Sequence, residues 1–200
     1  MACSNGAWPT CPSSPQPKQQ LALSCPATHQ IHQRTERFTP CRAAQRGHRS
    51  IDVAAPPDLV YDLIADVTRM GQWSPECYRC DWLDGATAAA PGTRFRGYNR
   101  LGRYRWERTA IIDTADRGSE FTFTTTDDRT GRLETQWQYT MQPTPSGTLL
   151  TESFEFLWCS LRNRATEMFI PRRRQVNRGI EETLTRIKRA AEALQAGQVG

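Results

Sequence analysis

The chain has 200 residues, enough for one domain with a substantial core and an appended tail. Its net charge of +5 is local: residues 1–48 carry Lys18, Arg34, Arg37, Arg42 and Arg46 against Glu36 alone, while the other 152 residues hold 21 basic and 20 acidic side chains. A nearly neutral domain argues against nucleic acid as a partner, and no segment approaches the roughly 18–20 apolar residues of a membrane span.

Residues 1–48 hold six of the 13 prolines, with Gln, Ser and Thr and few large apolar side chains. Such a stretch cannot bury enough surface to offset its ordering entropy, so a disordered tail is expected there, a domain over 49–197 and a disordered end over 198–200. Leu21-Ala22-Leu23 is too short for the apolar core of a secretory signal. A misassigned start codon would produce the same tail. The expected compartment is the cytoplasm, since an odd number of domain cysteines at irregular spacing gives no disulfide framework.

The domain opens with a short strand at Arg49–Val53, where Ile51 and Val53 share a face. Pro56-Pro57 interrupts any ladder and suits a helix start. Leu59, Val60, Leu63, Ile64 and Val67 then follow at helical spacing, and Trp73-Ser74-Pro75-Glu76 closes this helical unit. Strand-like runs come next, at Tyr78–Trp82, Thr93–Arg100, Tyr104–Ile112, Glu120–Thr126, Leu133–Met141 and Thr148–Trp158. The turns between them are too short for parallel crossovers, so the sheet is antiparallel and, with the opener, seven-stranded. One face of each run is apolar and needs a cover. Val176, Ile180, Leu184, Ile187, Ala191 and Leu194, spaced by 4, 4, 3, 4 and 3, supply it on a long helix. Pro171 is placed to separate that helix from a shorter one before it.

Glu152 is the sharpest functional candidate. Alternation puts it on the face of Leu150, Phe154 and Phe156, where a carboxyl group must either find a partner or take a raised pKa. A raised value suits a general acid or a ligand anchor, with Tyr139 as its proton partner. A structural ion pair, for instance with Arg108 on the Trp106 face, is the plain alternative. Phe95, Trp106, Trp137 and Tyr139 are expected on the concave face, as core or as the wall of a pocket. Asn99 is a polar handle or a turn former. The run Arg94, Arg96, Arg100, Arg103, Arg105 and Arg108 is most simply a solvated outer face, with phosphate or an acidic partner as the alternative.

Cys77-x-x-Cys80 could be a redox pair or half a zinc site. No second pair follows, and all three histidines fall in residues 1–48, so two small residues near a strand start is the plainer reading. No metal and no cofactor are expected, and histidine-based hydrolysis is excluded on the same count.

Several segments together resemble the SRPBCC superfamily of START-like and Bet v 1-like proteins. They are Val53-Ala54-Ala55-Pro56-Pro57-Asp58-Leu59-Val60-Tyr61, Asp66-Val67 with Trp73-Ser74-Pro75-Glu76, Gly92-Thr93-Arg94-Phe95, Asn99-Arg100-Leu101-Gly102 with Trp106, Trp137-Gln138-Tyr139, and Gly147-Thr148 before Thr151-Glu152-Ser153. Within the superfamily the likeness is to the polyketide cyclase/dehydrase and lipid-transport group. It implies an α+β helix-grip fold: a curved seven-stranded antiparallel sheet wrapped around a long C-terminal helix, with two short helices after the first strand. It also implies an apolar cavity between sheet and helix, with Trp73 at its mouth and Ile180 and Leu184 on the helix wall. The expected function is binding of a hydrophobic small molecule (lipid, isoprenoid or polyketide-like) by a monomer or homodimer. The alternatives are a polyketide cyclase/dehydratase and a protein-interaction module, since fold alone does not fix chemistry.

Overall fold

The computed structural model describes residues 46–157 and 172–198. The expectations for residues 1–45, for Pro171 as a helix divider and for the last two residues fall outside them. Strand β1 (Arg46–Val53) begins three residues ahead of the expected boundary at 49. Arg46, Gly47 and His48 therefore pair in the sheet. His48 is exposed on β1.

Pro57 opens α1 (Pro57–Ala65), with Pro56 as its extended N-cap, and Val60, Leu63 and Ile64 form the buried stripe. The carboxylate of Asp66 caps the next turn, accepting from the Thr68 amide at 3.2 Å. This is a single 3₁₀ turn, Val67–Arg69, and it leads into the one-turn helix α2 (Met70–Trp73). Six strands follow: β2 (Cys77–Trp82), β3 (Arg94–Leu101), β4 (Tyr104–Asp116), β5 (Glu120–Thr126), β6 (Leu133–Thr144) and β7 (Gly147–Phe156). Helix α3 (Arg172–Gln198) completes the order.

The sheet runs β1-β7-β6-β5-β4-β3-β2, every neighbouring pair antiparallel. This is the helix-grip fold that the resemblance implies, built on the antiparallel sheet expected from the hairpin spacing. β1 and β2 follow one another in the chain yet lie at opposite edges, so α1 and α2 carry the chain across the sheet.

Val176, Ile180, Leu184, Ile187 and Ala191 are buried, as the spacing requires. Leu194 is 46% exposed, so the buried stripe ends one step earlier than expected. Polar contacts tie α3 along β1. The Lys188 ammonium donates to the Asp52 carbonyl at 2.6 Å, and the Ala54 amide donates to the Glu192 carboxylate at 2.9 Å. Arg49 pairs with Glu181 at 2.6 Å, and the Arg186 guanidinium donates to the Trp73 carbonyl at 3.3 Å.

Candidate functional site

The inner face of the sheet grades from closed to open along every central strand. On β6, Met141 and Tyr139 are buried while Trp137 is half-buried; on β7, Leu150, Glu152 and Phe154 are buried and Phe156 is half-buried. On β4, Ile112 and Ala110 are buried, and Arg108 and Trp106 are half-buried. Phe95 on β3 is buried, Asn99 half-buried and Leu101 exposed. The candidate residues thus split by depth. Trp73, Phe95, Tyr139, Glu152, Ile180 and Leu184 are in the closed part, and Asn99, Trp106, Arg108 and Trp137 lie toward the end formed by the β3–β4 and β5–β6 turns.

Glu152 sits where alternation puts it. It is 3% exposed, and the Tyr139 hydroxyl, directly across the ladder, donates to its Oε1 at 2.8 Å. Oε2 is buried without a hydrogen-bond partner among the described residues. Burial pushes the Glu152 carboxyl up to about 8, against a smaller downward pull from the Tyr139 hydrogen bond. The carboxyl is then mostly neutral at pH 7, and a neutral carboxyl can donate as well as accept. Burial also drives the Tyr139 hydroxyl well above its ordinary value, reinforced by the adjacent Glu152.

Among the described residues no cation pairs with this carboxyl group. Arg49 faces Glu152 across the β1–β7 ladder, but its guanidinium goes to Glu181. Arg108, the partner considered from the sequence, pairs instead with Glu134. A register shift where β5 pairs with β6 leaves Glu134 between the paired positions Leu133 and Thr135, which breaks the alternation there. That bulge is not readable from periodicity, so Glu134 was missed as a partner.

The concave face beside and beyond the acid is aromatic. Phe95 meets Phe123 edge-on at 5.2 Å, Trp137 lies 5.8 Å from Phe154, and Phe154 lies 5.1 Å from Phe156. Trp73 is buried beneath α3, and its indole Nε1 has no hydrogen-bond partner among the described residues. Asn99 is within β3 rather than in a turn, and its amide donates to the Gly97 carbonyl at 3.3 Å.

Cys77 and Cys80 are both buried, with their sulfurs 3.4 Å apart. A register shift after Cys77 accompanies this, and Met70 Sδ lies 3.6 Å from the Cys80 sulfur. They pack over Gly97, where a Cβ would stand 3.6 and 3.7 Å from the two sulfurs. Among the described residues no cluster of three His, Cys, Asp or Glu could hold a metal ion.

A cavity of about 860 Å³ opens at the β1 edge, lined by Arg46, His48, Gln136, Gln138 and Ser153 together with Phe154 and Asn177. None of the candidate ligand residues lines it. It is a half-open groove whose lining mixes polar side chains with apolar surface.

The profile of the family described as "Polyketide cyclase / dehydrase and lipid transport" matches residues 44–192. The chain belongs to this family. The polyketide-cyclase-like protein Cgl2372 of Corynebacterium glutamicum is 32% identical, with a TM-score of 0.53 over 76% of this chain and 94% of that one. Protein NE0264 of Nitrosomonas europaea is 15% identical, with a TM-score of 0.55 over 76% and 96%. The di-domain ARO/CYC protein StfQ of the steffimycin biosynthetic pathway is 13% identical, with a TM-score of 0.58 over 77% of this chain and 52% of that one. At 13 and 15% identity, the last two likenesses show the fold alone. No curated protein matches the chain. Among the described residues no helix is long and apolar enough to cross a membrane. Family membership thus supports a role in binding a hydrophobic ligand.

Proposed function

We propose that this family member binds a hydrophobic small molecule between the concave face and α3, entering from the open end and reaching Glu152. The observation that carries this reading is the Glu152 carboxyl. It is buried on the apolar face of the sheet, held on one oxygen by Tyr139, with the other oxygen unpartnered among the described residues. A buried polar atom left unpaired costs about 1–3 kcal/mol. A ligand acceptor that meets it recovers that energy. The ligand class is therefore a lipid, isoprenoid or aromatic polyketide bearing a carbonyl or hydroxyl oxygen. Trp137, two residues before Tyr139 on the same strand, lies about 7 Å nearer the opening. Trp106 and Arg108 continue the wall outward.

The Tyr139–Glu152 contact favours a second reading, a cyclase or dehydratase. Glu152 would pass its proton to a hydroxyl leaving as water. The carboxylate so formed, steadied by the Tyr139 hydroxyl, would then take the proton lost from the neighbouring carbon. The aromatic walls would hold the chain folded for that step.

Native mass spectrometry of the full chain, with organic extraction of any bound molecule, tests both readings alongside Glu152→Gln. Under the binding reading a hydrophobic molecule co-purifies, and the substitution changes its affinity by about a few-fold, the worth of one altered hydrogen bond. Under the catalytic reading binding holds while turnover of the extracted molecule falls roughly 10²–10⁴-fold. A chain that carries no such molecule and takes up no neutral apolar dye such as Nile red would overturn both.

A further inference from the structure

Four of the five exposed large hydrophobic side chains among the described residues lie toward one end of the sheet, two of them paired at its β3–β4 tip. Leu101 and Tyr104 flank the β3–β4 turn and pair across it, Leu133 follows the β5–β6 turn, and Tyr78 lies at the start of β2 beside them. Tyr104 is 67% exposed, with its ring stacked on Trp106 at 5.3 Å and 24°. Single exposed apolar residues need no explanation, whereas a gathered set marks a contact surface.

The arginines of the same hairpin divide by position. Residues 94–108 hold six arginines against Glu107 alone. Those in the body of the sheet are paired: Arg94 with Asp84 at 2.7 Å, Arg96 with Asp128 at 3.8 Å, and Arg108 with Glu134. At the tip, Arg100, Arg103 and Arg105 have no ion pair among the described residues, and Arg100 lies 6.0 Å over the Tyr78 ring.

We propose that this end of the sheet docks on an anionic lipid bilayer, with Leu101, Tyr104 and Leu133 entering the headgroup layer and Arg100, Arg103 and Arg105 meeting lipid phosphates. Tyrosine and tryptophan rings settle at the membrane interface, and arginine binds phosphate through its planar fork. Each basic side chain near an anionic surface contributes about 1 kcal/mol. Nucleic acid fits less well. One face of the Tyr104 ring is covered by Trp106, Tyr98 lies under the Arg79 guanidinium at 5.1 Å, and exposed leucines offer nothing to a polyanion. The docking end is also where the concave face opens at Trp106, Arg108 and Trp137. Resting on the hydrophobic-ligand reading, docking there would set the pocket mouth against the source of its ligand.

Flotation of the full chain with vesicles tests this, using pure phosphatidylcholine and equal parts phosphatidylcholine and phosphatidylglycerol. Binding is expected to the anionic vesicles only, and to weaken as salt rises. Arg103→Gln with Arg105→Gln should lower the affinity roughly thirtyfold, from about 1 kcal/mol per arginine. Leu101→Ser with Tyr104→Ser should lower it roughly tenfold or more by removing the inserted apolar surface. All four positions are at the tip, so melting temperature and Nile red uptake in vesicle-free solution should stay as in the parent. Lost vesicle binding with retained dye uptake is thus a fault in docking alone, and parent protein that floats but takes up no dye sinks the ligand reading instead. Three results overturn the proposal. One is absent binding, or binding that the arginine pair of substitutions leaves intact, which would assign it to the basic N-terminal stretch. Another is tighter binding of an RNA oligonucleotide through the same arginines. The last is a dimer that Leu101→Ser with Tyr104→Ser dissociates.

Discussion

The two ends of the concave face use similar side chains to different effect. In the closed half, Tyr139, Glu152, Phe95 and Leu150 are sealed beneath the helices, and a carboxyl group there gives up its charge at neutral pH. Toward the turns, Arg108 and Glu134 form an ion pair whose side chains are still 31 and 18% exposed, so water shares in their solvation. Alternation along a strand decides which face a residue takes, while position along the strand decides its depth. Depth then decides whether an acid is a salt-bridge partner or a neutral hydrogen-bond donor.

The largest test of this contrast is on the closed side. Leu184→Asp puts an unpaired charge where α3 is 2% exposed, a loss of several kcal/mol, roughly the whole stability margin of a domain. The variant should be insoluble or show no cooperative thermal transition by circular dichroism. A stable, cooperative Leu184→Asp protein would mean that α3 does not seal this half.

Glu152 should give a smaller and pH-dependent effect. Its folded value, about 8, lies above the ordinary 4.5, so the folded protein keeps a proton that the unfolded chain releases. The contribution to stability is complete below about pH 4.5, declines as pH rises from there, and is lost once pH passes about 8. The difference between wild type and Glu152→Gln should change by a few kcal/mol over that window, at about 1.4 kcal/mol per pH unit. Urea melts at several pH values measure it. A flat difference would mean that the acid is solvated or paired.

The smallest effect is expected at the open end. Arg108→Gln breaks a part-exposed pair with Glu134 and should cost about 1 kcal/mol or less, a shift of a few degrees in Tm. The pH profile of Glu152 should not move. If it did, Arg108 would be acting on the deep carboxyl after all.

Much of this architecture can be read from the chain. The period-2 runs separated by glycine-bearing turns at Gly85, Gly92, Gly102, Gly118, Gly131 and Gly147 place six of the strands, and the apolar stripe on α3 requires a sheet to cover. Glu152 stands out because it interrupts an apolar face. Its partner is harder to see. Arg108 and Tyr139 both share its face by alternation, and only the ladder register, with Tyr139 opposite Glu152, decides between them. Glu134 is hidden by a bulge, and the start of β1 is hidden because Arg46, Gly47 and His48 match the composition of the tail. Register and bulge are properties of strand pairing rather than of local pattern, and for β1 the pairing partner is about a hundred residues away.

That long-range pairing has a kinetic side. Among the described strands β1 pairs with β7 alone, with Val53 opposite Thr148 and Arg46 opposite Glu155, and it forms one edge of the sheet. The strands from β2 to β7 can zip up through neighbouring hairpins, whereas β1 must wait for the last strand to be made. During synthesis Ile51 and Val53 therefore emerge early and find their ladder late, leaving an unpaired β-strand for the whole interval. Closing such a distant contact is the slow kind of step in folding, and an open strand is a template for mispairing. The register that puts Arg49 beside Glu152, and ties α3 through Glu181, should be among the last features of the domain to form.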